Sequence, residues 1–513
     1  MGNNVDSIKE ATIGIALLVL ISKGFGFVRE MVIAYKFGTG IEYDVYLIAA
    51  SIPIALFAWF GATFSSMFIP GYVQALSDRD RSRAWKALWT DYNLALIISV
   101  VAVLALLASA SQIIRAIAPG LDEKYLSEAV YMTRVSAIIA VLAVLEAIFR
   151  SVLNAEKKFM VPAAGPVLFN LVIIGSVVGL SGSLSVRAIL YGLVFGYAAQ
   201  VLFTYIPFRR FEISRHFNLR FNRERIRPFF AAAVAILIIE GAAHLYGIVD
   251  RYFASSMESG IISTLGYSYN LMMLPIMIFA YALSTALFPY FSDAFTAGDK
   301  KRISYLISRG ISISLLLALP TTVIIWIFSD KLVILLFRRG AFDMESVRLT
   351  AGLLKYFSLG LAAQFILYIM VRAYYAAKKL KPLLFQVGIV VIAKIFLTAW
   401  LVGPLGHIGL AVSAIISYCI GALILYICAG SVLTRLDGKG IFLYFIKVVT
   451  AAAAALAAGQ LLYNRFLADL DQFGPLLFTA VAVIGVTLIV FTAVAYFLNI
   501  PDVREIAGFR KRR

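Results

Sequence analysis

Two cysteines and three histidines are all that this chain of 513 residues offers to metal or redox chemistry. Cys419 and Cys428 share one apolar segment, a spacing that fits neither a disulfide framework nor a zinc site. His216, His244 and His407 are scattered, and no HExxH occurs, so no metal ligand set and no cofactor is expected. A Walker phosphate loop is missing, which excludes direct drive by ATP, and so is a Gly-x-Ser-x-Gly nucleophile motif. Gly24-Phe25-Gly26 precedes no βαβ unit, and no outer loop of useful size carries a pair of carboxylates. An enzyme is therefore not expected. Charge is the most telling shortage. Only 14% of residues are charged and 62% are hydrophobic, whereas soluble domains carry about 25% charged residues. The solvent of this chain is lipid. The net charge of +18 does not signal nucleic acid, because the basic residues sit in short loops between apolar runs instead of on a soluble basic face.

Apolar stretches of about 20 residues, the length that crosses a bilayer, predict an all-α integral membrane protein of about fourteen spans. They lie near 11–37, 43–75, 88–114, 129–153, 161–181, 185–207, 228–254, 265–293, 304–328, 346–376, 383–403, 408–430, 441–463 and 475–498. The start, MGNNVDSIKE, lacks a basic leader region and reads as the approach to a first span, not as a signal peptide. Loops on the side of the N-terminus are strongly basic. They hold Arg79, Arg81, Arg83 and Lys86, then Lys157 and Lys158, then Lys300, Lys301 and Arg302, then Lys378, Lys379 and Lys381. The stretch FRRFEISRHFNLRFNRERIR alone has seven arginines. The opposite side has Arg115, Lys124, Arg187, Lys331, Arg338, Arg339 and Arg465. The positive-inside rule then puts both termini in the cytoplasm.

The chain also repeats itself. IPIALFAWFGATFSSMFIP in the second span parallels LPIMIFAYALSTALFP in the eighth, with Pro53 matching Pro275, Pro70 matching Pro289, and a basic loop after each. This predicts an N-lobe at 1–207, a basic linker at 208–227, a C-lobe at 228–430, and two further helices with a basic tail at 431–513. Two six-helix lobes in parallel repeat are a transporter architecture.

Within the first span, SKGFGFVREMVIAYKFGTG (22–40) places Lys23, Arg29 and Glu30 in apolar surroundings. A charge in hydrocarbon costs at least ~2.5 kcal/mol, so such residues need water, a partner or a ligand. Lys23 and Glu30 are seven residues apart and share a helical face, with Arg29 about 100° round from Glu30. Gly24 and Gly26 beside them suggest a broken or bent helix that admits water.

The segment SKGFGFVREMVIAYKFGTGIEYDVYLIAASIP resembles the first two helices of the MurJ (MviN) lipid II flippases of the multidrug/oligosaccharidyl-lipid/polysaccharide exporter superfamily. The likeness continues in VLNAEKKFMVPAAGPVLFN (152–170), VDRYFASSMESG (249–260), LFRRGAFDMESV (336–347), VRAYYAAKKLKP (371–382) and PLGHIGLAVSAIIS (404–417). These blocks fall in order over nearly the whole chain. The resemblance implies fourteen helices, two lobes around a cationic cavity, and movement of an undecaprenyl-diphosphate-linked glycan, with lipid II foremost, across the bacterial inner membrane by alternating access. It also implies contact with membrane lipids, possible association with cell-wall synthesis proteins, and action as a monomer. The alternatives are a flippase for an O-antigen or exopolysaccharide precursor and a cation-coupled drug antiporter of the same superfamily, against which the last two helices argue.

By the same resemblance Lys23, Arg29 and Glu30 line the cavity, with Asp44 as counter-charge to the cations. Where the family carries arginine after the proline of the second helix, this chain has Phe57 and Ala58; where the eighth helix has an Asp-Arg pair, it has Tyr269 and Asn270. The remaining intramembrane charges, Arg134, Glu146, Arg150, Glu240, Asp250, Arg251 and Arg372, are the candidates to compensate. Some relatives hold sodium among helices seven, eleven and twelve. The matching positions here are Asp250, Lys394 and Thr398, so an ammonium group stands where the ion would, and an Asp250–Lys394 pair is expected.

Overall fold

The computed structural model describes residues 2–77, 81–211, 241, 244–468, 470, 472–506 and 508, and no strand occurs among them. Most of the seven-arginine linker and the start of the seventh predicted span (residues 212–240, 242 and 243) lie outside the described residues, as does Arg79. The chain divides into two compact units, residues 1–263 with 339–342, and residues 264–338 with 343–513.

The first unit contains α1 (Gly2–Phe37), α2 (Ile41–Ser77), α3 (Arg81–Ile117), α4 (Glu123–Ser136), α5 (Ile139–Ala155), α6 (Met160–Leu184), α7 (Arg187–Phe208) and α8 (residues 244–254). Its core is formed where α5 meets α2, α3 and α7. Ala140, Ala143, Val144, Ala147 and Val152 of α5 are fully buried, and Phe60 and Phe149 fill the space around them. Small residues on one face let helices approach closely in lipid, where no hydrophobic force drives them together.

One expectation is corrected at once. α1 is a continuous helix of 36 residues through Gly24 and Gly26, so these glycines do not break it. A Cβ at Gly24 would meet nothing, whereas one at Gly26 would lie 3.7 Å from Asn170 Nδ2. A methyl group would fit at either position.

The second unit contains most of α9 (Ile261–Pro275), a π-helical turn (Ile276–Tyr281), α10 (Ala282–Thr296), α11 (Lys300–Phe337), α12 (Met344–Ser358), α13 (Leu361–Ala376), α14 (Lys381–Leu405), α15 (Ile408–Val432), α16 (Gly438–Phe466), α17 (Phe473–Phe497) and α18 (Pro501–Ile506). The π turn follows Pro275 directly. Proline lacks the amide proton and crowds the carbonyl four residues back, so the ladder widens there. The matching proline of the first repeat, Pro53, lies in an unbroken α2. The core of this unit joins α10, α11, α13 and α15 through Phe291, Ile307, Ile369, Tyr374 and Leu425. The Tyr374 hydroxyl donates to the Leu425 carbonyl at 2.9 Å, which satisfies the one polar atom of that ring.

Among the described residues eleven helical stretches are long and apolar enough to span a membrane, and twelve if α12 and α13, which meet at 52°, are one bent span. The fourteen expected from sequence add α1 and the seventh span, much of which lies outside the described residues. Large apolar side chains face outward along these helices, among them Leu104, Val178, Phe396, Phe478 and Ile489. That is the pattern of a surface bathed in lipid. The chain is a multi-pass membrane protein.

Lys331 corrects the loop reading. α11 continues to Phe337, so this lysine is helical and only 3% exposed. Its ammonium group donates to the carbonyls of Ala468 and Leu470, at 3.0 and 3.2 Å, and so ties the connection after α16 to α11.

Candidate substrate site and coupling cluster

In the first unit Arg29 is held from two sides. Its Nη2 donates to Glu30 Oε1 at 2.6 Å and its Nη1 donates to Asn170 Oδ1 at 3.1 Å. Asn170 of α6 is fixed in turn, because its amide nitrogen donates to the carbonyls of Pro166 and Ser22. The Arg29 guanidinium lies 5.9 Å from the centre of the Phe169 ring, a distance at which a cation is attracted to the ring face. Its side chain keeps 25% of its surface exposed, against 12% for Glu30. A guanidinium so placed has a fixed orientation and spare donors, which suits it to a planar grip on phosphate oxygens. Asn170 was not foreseen from sequence. It is 141 residues from Arg29, and no periodic pattern signals such a contact.

Lys23 is exposed on α1. Asp44 lies elsewhere than beside these cations. In the first turn of α2 and 3% exposed, its carboxylate accepts from the amide of Gly260 at 2.6 Å and from that of Ser263 at 2.7 Å. Gly260 has φ +93° and lies against the Thr39 carbonyl, where a Cβ would collide. The corner between α1 and α2 is gripped again by the Ala341 amide, which donates to the Tyr35 carbonyl at 2.9 Å. These ties explain why the compact units divide after Ser263 and not within the predicted linker.

Arg251 of α8 folds back over Gly247, its Nη1 2.8 Å from where a Cβ would stand, with Asp250 and Tyr43 as electrostatic neighbours. In the second unit the Arg372 guanidinium sits between two rings, 5.8 Å from Tyr281 and 5.9 Å from Phe288. Asn270 lies half-buried on α9 beside the exposed Tyr269.

Lys394 is wholly buried between α14 and α15. Its ammonium group donates to the Leu410 carbonyl and to Ser413 Oγ, both at 2.9 Å, and Thr398 Oγ1 donates to the same Ser413 hydroxyl. Oxygen atoms of this kind are what a hard cation takes, and here they are turned on an ammonium group. Among the described residues no cluster of three His, Cys, Asp or Glu side chains is placed to hold a metal ion.

The profile of the family described as lipid II flippase MurJ matches residues 33–492. The chain belongs to the MurJ family. Membership puts it among transporters of the flippase kind and not among enzymes. The lipid II flippase MurJ of Burkholderia cenocepacia is 27% identical over 98% of this chain and 99% of its own length. The probable lipid II flippase MurJ of Thermotoga maritima is 28% identical over 81% of this chain and 84% of its own. Among solved structures, a lipid II flippase MurJ in an inward closed conformation superposes with TM-score 0.80 at 22% identity, over 96% of this chain and all of that one. An inward-facing multidrug resistance transporter of the MATE family and MOP superfamily gives 0.65 at 16%, over 81% of this chain and 93% of that one. At such identities the likeness is one of fold. The MurJ fold and the MurJ profile thus agree over nearly the whole chain.

Proposed function

We propose that this chain is a flippase that carries a polyprenyl-diphosphate-linked glycan, lipid II, from the cytoplasmic to the outer face of a bacterial inner membrane. The observation that carries the reading is the family match over residues 33–492 together with an oriented, partly exposed guanidinium inside an apolar wall. Both termini are cytoplasmic, in accord with the basic loops on that side. The two lobes alternate in access, and the protein works as a monomer, bound to membrane lipid and in reach of the enzymes that build and use the precursor. Arg29 grips the diphosphate, while Lys23, Arg251, Arg372 and Asn270 supply further contacts to the headgroup. Asp250, Lys394 and Thr398 belong to energy coupling.

The test is depletion in the native host, or replacement of that host's own flippase by this chain. Normal arrival of peptidoglycan precursor at the outer face after depletion defeats the lipid II assignment. A second reading, a flippase for another lipid-linked oligosaccharide, is favoured by Phe57, Ala58, Tyr269 and Asn270, uncharged residues at positions where the family resemblance leads one to expect charge. Competition binding with lipid II and an O-antigen precursor separates the two.

A further inference from the structure

Residues 310–329 of α11 carry no charge, and twenty helical residues span about 30 Å, the thickness of a bilayer's hydrocarbon. The first turns of this helix, from Lys300 to Arg309, therefore stand in the headgroup layer, on the side where the basic loops cluster. Tyr305, 64% exposed, marks that level, since tyrosine favours the boundary between lipid and water. Here the connection from α15 to α16 packs against α11, and the two form an open cavity of about 430 Å³. Clefts that receive small ligands run from roughly 300 to 1,000 Å³.

Residues 300, 301, 304, 305 and 308 line the cavity from α11, a spacing that puts them on one helical face. Lys300, Lys301 and Arg435 bring three cations to it and Asp437 one carboxylate. Asp437 is engaged as the cap of α16, where its Oδ1 accepts from the Gly440 amide at 2.9 Å. Asp299, beside the lysines in sequence, likewise caps α11 by accepting from the Arg302 amide at 2.9 Å. Among the described residues none of the three cations has an ion pair. The main chain around them is tied down. Ser304 Oγ donates to the Arg435 carbonyl at 2.8 Å, and Thr434 Oγ1 donates to the Lys300 carbonyl at 3.4 Å. The walls are thus fixed, and the charged side chains are left to water or a ligand.

One hydroxyl points the same way. Ser292 and Thr296 of α10 return their protons to carbonyls one turn back, the usual habit of a helical hydroxyl. Ser308 does not. Its Oγ is buried, its side chain lines the cavity, and it has no hydrogen-bond partner among the described residues. Buried hydroxyls are normally satisfied, so this donor is kept for an acceptor that enters.

We propose that this cavity holds the phosphate headgroup of an anionic phospholipid, with Lys300, Lys301 and Arg435 neutralising its charge and Ser308 donating to a phosphate oxygen. Basic pockets between membrane helices suit such headgroups. Position selects lipid phosphate over a soluble anion. The cavity lies at the headgroup level, and just beyond it α16 turns Phe442 and Leu443 outward, 60% and 51% exposed, where acyl chains run. A lipid seated there bridges α11 to the connection that leads into α16, and so fastens the last helix pair, α16 and α17, to the rest of the unit. This lipid stays and is not carried, so failure of the proposal leaves the flippase reading untouched.

The test uses the purified full-length protein in an uncharged detergent, titrated with short-chain phosphatidylglycerol and, in separate arms, with phosphatidylcholine or inorganic phosphate. Native mass spectrometry counts bound lipid, and thermal unfolding reads the stabilisation that a ligand of the folded state produces by mass action. Phosphatidylglycerol is expected to be retained and to raise the Tm; phosphatidylcholine and inorganic phosphate at the same concentration should do neither. Arg435→Gln should weaken phosphatidylglycerol binding about fivefold, the worth of one cation at a lipid surface, and Lys300→Gln/Lys301→Gln/Arg435→Gln together about a hundredfold. Ser308→Ala, which keeps all three charges, should weaken it about threefold, the scale of one neutral hydrogen bond. Lys378→Gln/Lys379→Gln/Lys381→Gln removes as many exposed charges from the loop between α13 and α14 and should leave binding unchanged. Equal losses in the two triple variants would reduce the effect to general charge and overturn the site. Inorganic phosphate that protects as well as phosphatidylglycerol overturns the lipid assignment. Should the cavity triple variant fail to fold, Arg435→Gln and Ser308→Ala still decide, and unchanged binding in both overturns the proposal.

Discussion

The carboxylate of Asp44 caps the backbone amides of Gly260 and Ser263, more than two hundred residues away in sequence. A charged acceptor on free amides at a helix start is favoured by hydrogen bonding and by the helix dipole together. This makes Asp44 a closure for the α1–α2 corner, a task that needs charge more than size. Asp44→Asn keeps one acceptor and loses the charge. It should slow turnover about tenfold while changing substrate affinity less than about twofold, since one charge-assisted hydrogen bond is worth ~1.5–3 kcal/mol. Single-turnover flipping in vesicles, compared with equilibrium binding, measures the two separately. Equal losses in both would show that the cap only stabilises the fold.

Arg29 should be the most sensitive position of the site. Its guanidinium is held by Glu30 at one nitrogen and by Asn170 at the other, so the planar group is oriented before substrate arrives. An ammonium group cannot reproduce two simultaneous bonds in a plane. Arg29→Ala should abolish transport and Arg29→Lys should reduce it, with membrane insertion unchanged in both. Asn170→Ala should give an intermediate loss, because it frees the group to reorient. Transport assays at matched expression check the series, and full activity in Arg29→Ala removes the residue from the site.

Asp343 gives a pH-dependent contribution outside the membrane spans. It caps α12, accepting from the Ser346 amide at 2.8 Å. That backbone hydrogen bond, with the Ser346 hydroxyl, holds its carboxyl below the usual 3.8. A group that is more acidic folded than unfolded stabilises the fold fully above its unfolded value, and loses that contribution as pH falls through the folded one. Asp343→Ala should therefore cost about 1 kcal/mol at neutral pH, and the difference from the unmodified protein should shrink on acidification below about 3.8. Thermal unfolding in detergent across that range tests it. A gap that stays constant with pH would assign the loss to packing alone.

Much of the architecture was legible because lipid imposes it. Spans must be long and apolar, so α2, α3, α6, α7, α11 and α14 to α17 could be placed from hydropathy. The repeat around Pro53 and Pro275 was visible as well. The unbroken course of α1 through Gly24 and Gly26 was not, since a glycine that a helix merely tolerates and a glycine that bends it look alike in sequence. Lys331 read as a loop residue because charge was taken to mean water, but three donors on one ammonium group can be satisfied by carbonyls inside the bundle. Asp44 and Asn170 act across long sequence separations, and such contacts leave no periodic trace. At the site, sequence identified the cations and Glu30 beside them, whereas Asn170 at Arg29 and Ser413 at Lys394 came only from the fold.

Lys394 bears on what drives transport. Its ammonium group is fully buried and takes oxygens of Leu410 and Ser413, with Thr398 bonded to the same serine. A free sodium ion at this place would compete for those oxygens and be repelled by a like charge a few ångströms away. Under the proposed coupling role, the lysine would be a tethered cation standing in for a bound ion. Transport by this protein should be insensitive to sodium and respond to membrane potential or to a proton gradient. Lys394→Met removes one donor from the Leu410 carbonyl and one from Ser413 Oγ, which keep the Ser413 and Thr398 hydroxyls as donors, so its cost should fall at the low end of roughly 1–3 kcal/mol. Lys394→Asn keeps a polar group at the site and opens space, so it is the variant in which sodium dependence should emerge. Flipping in vesicles with sodium or potassium on both sides reads this directly, and sodium-stimulated transport by the unmodified protein would sink the idea.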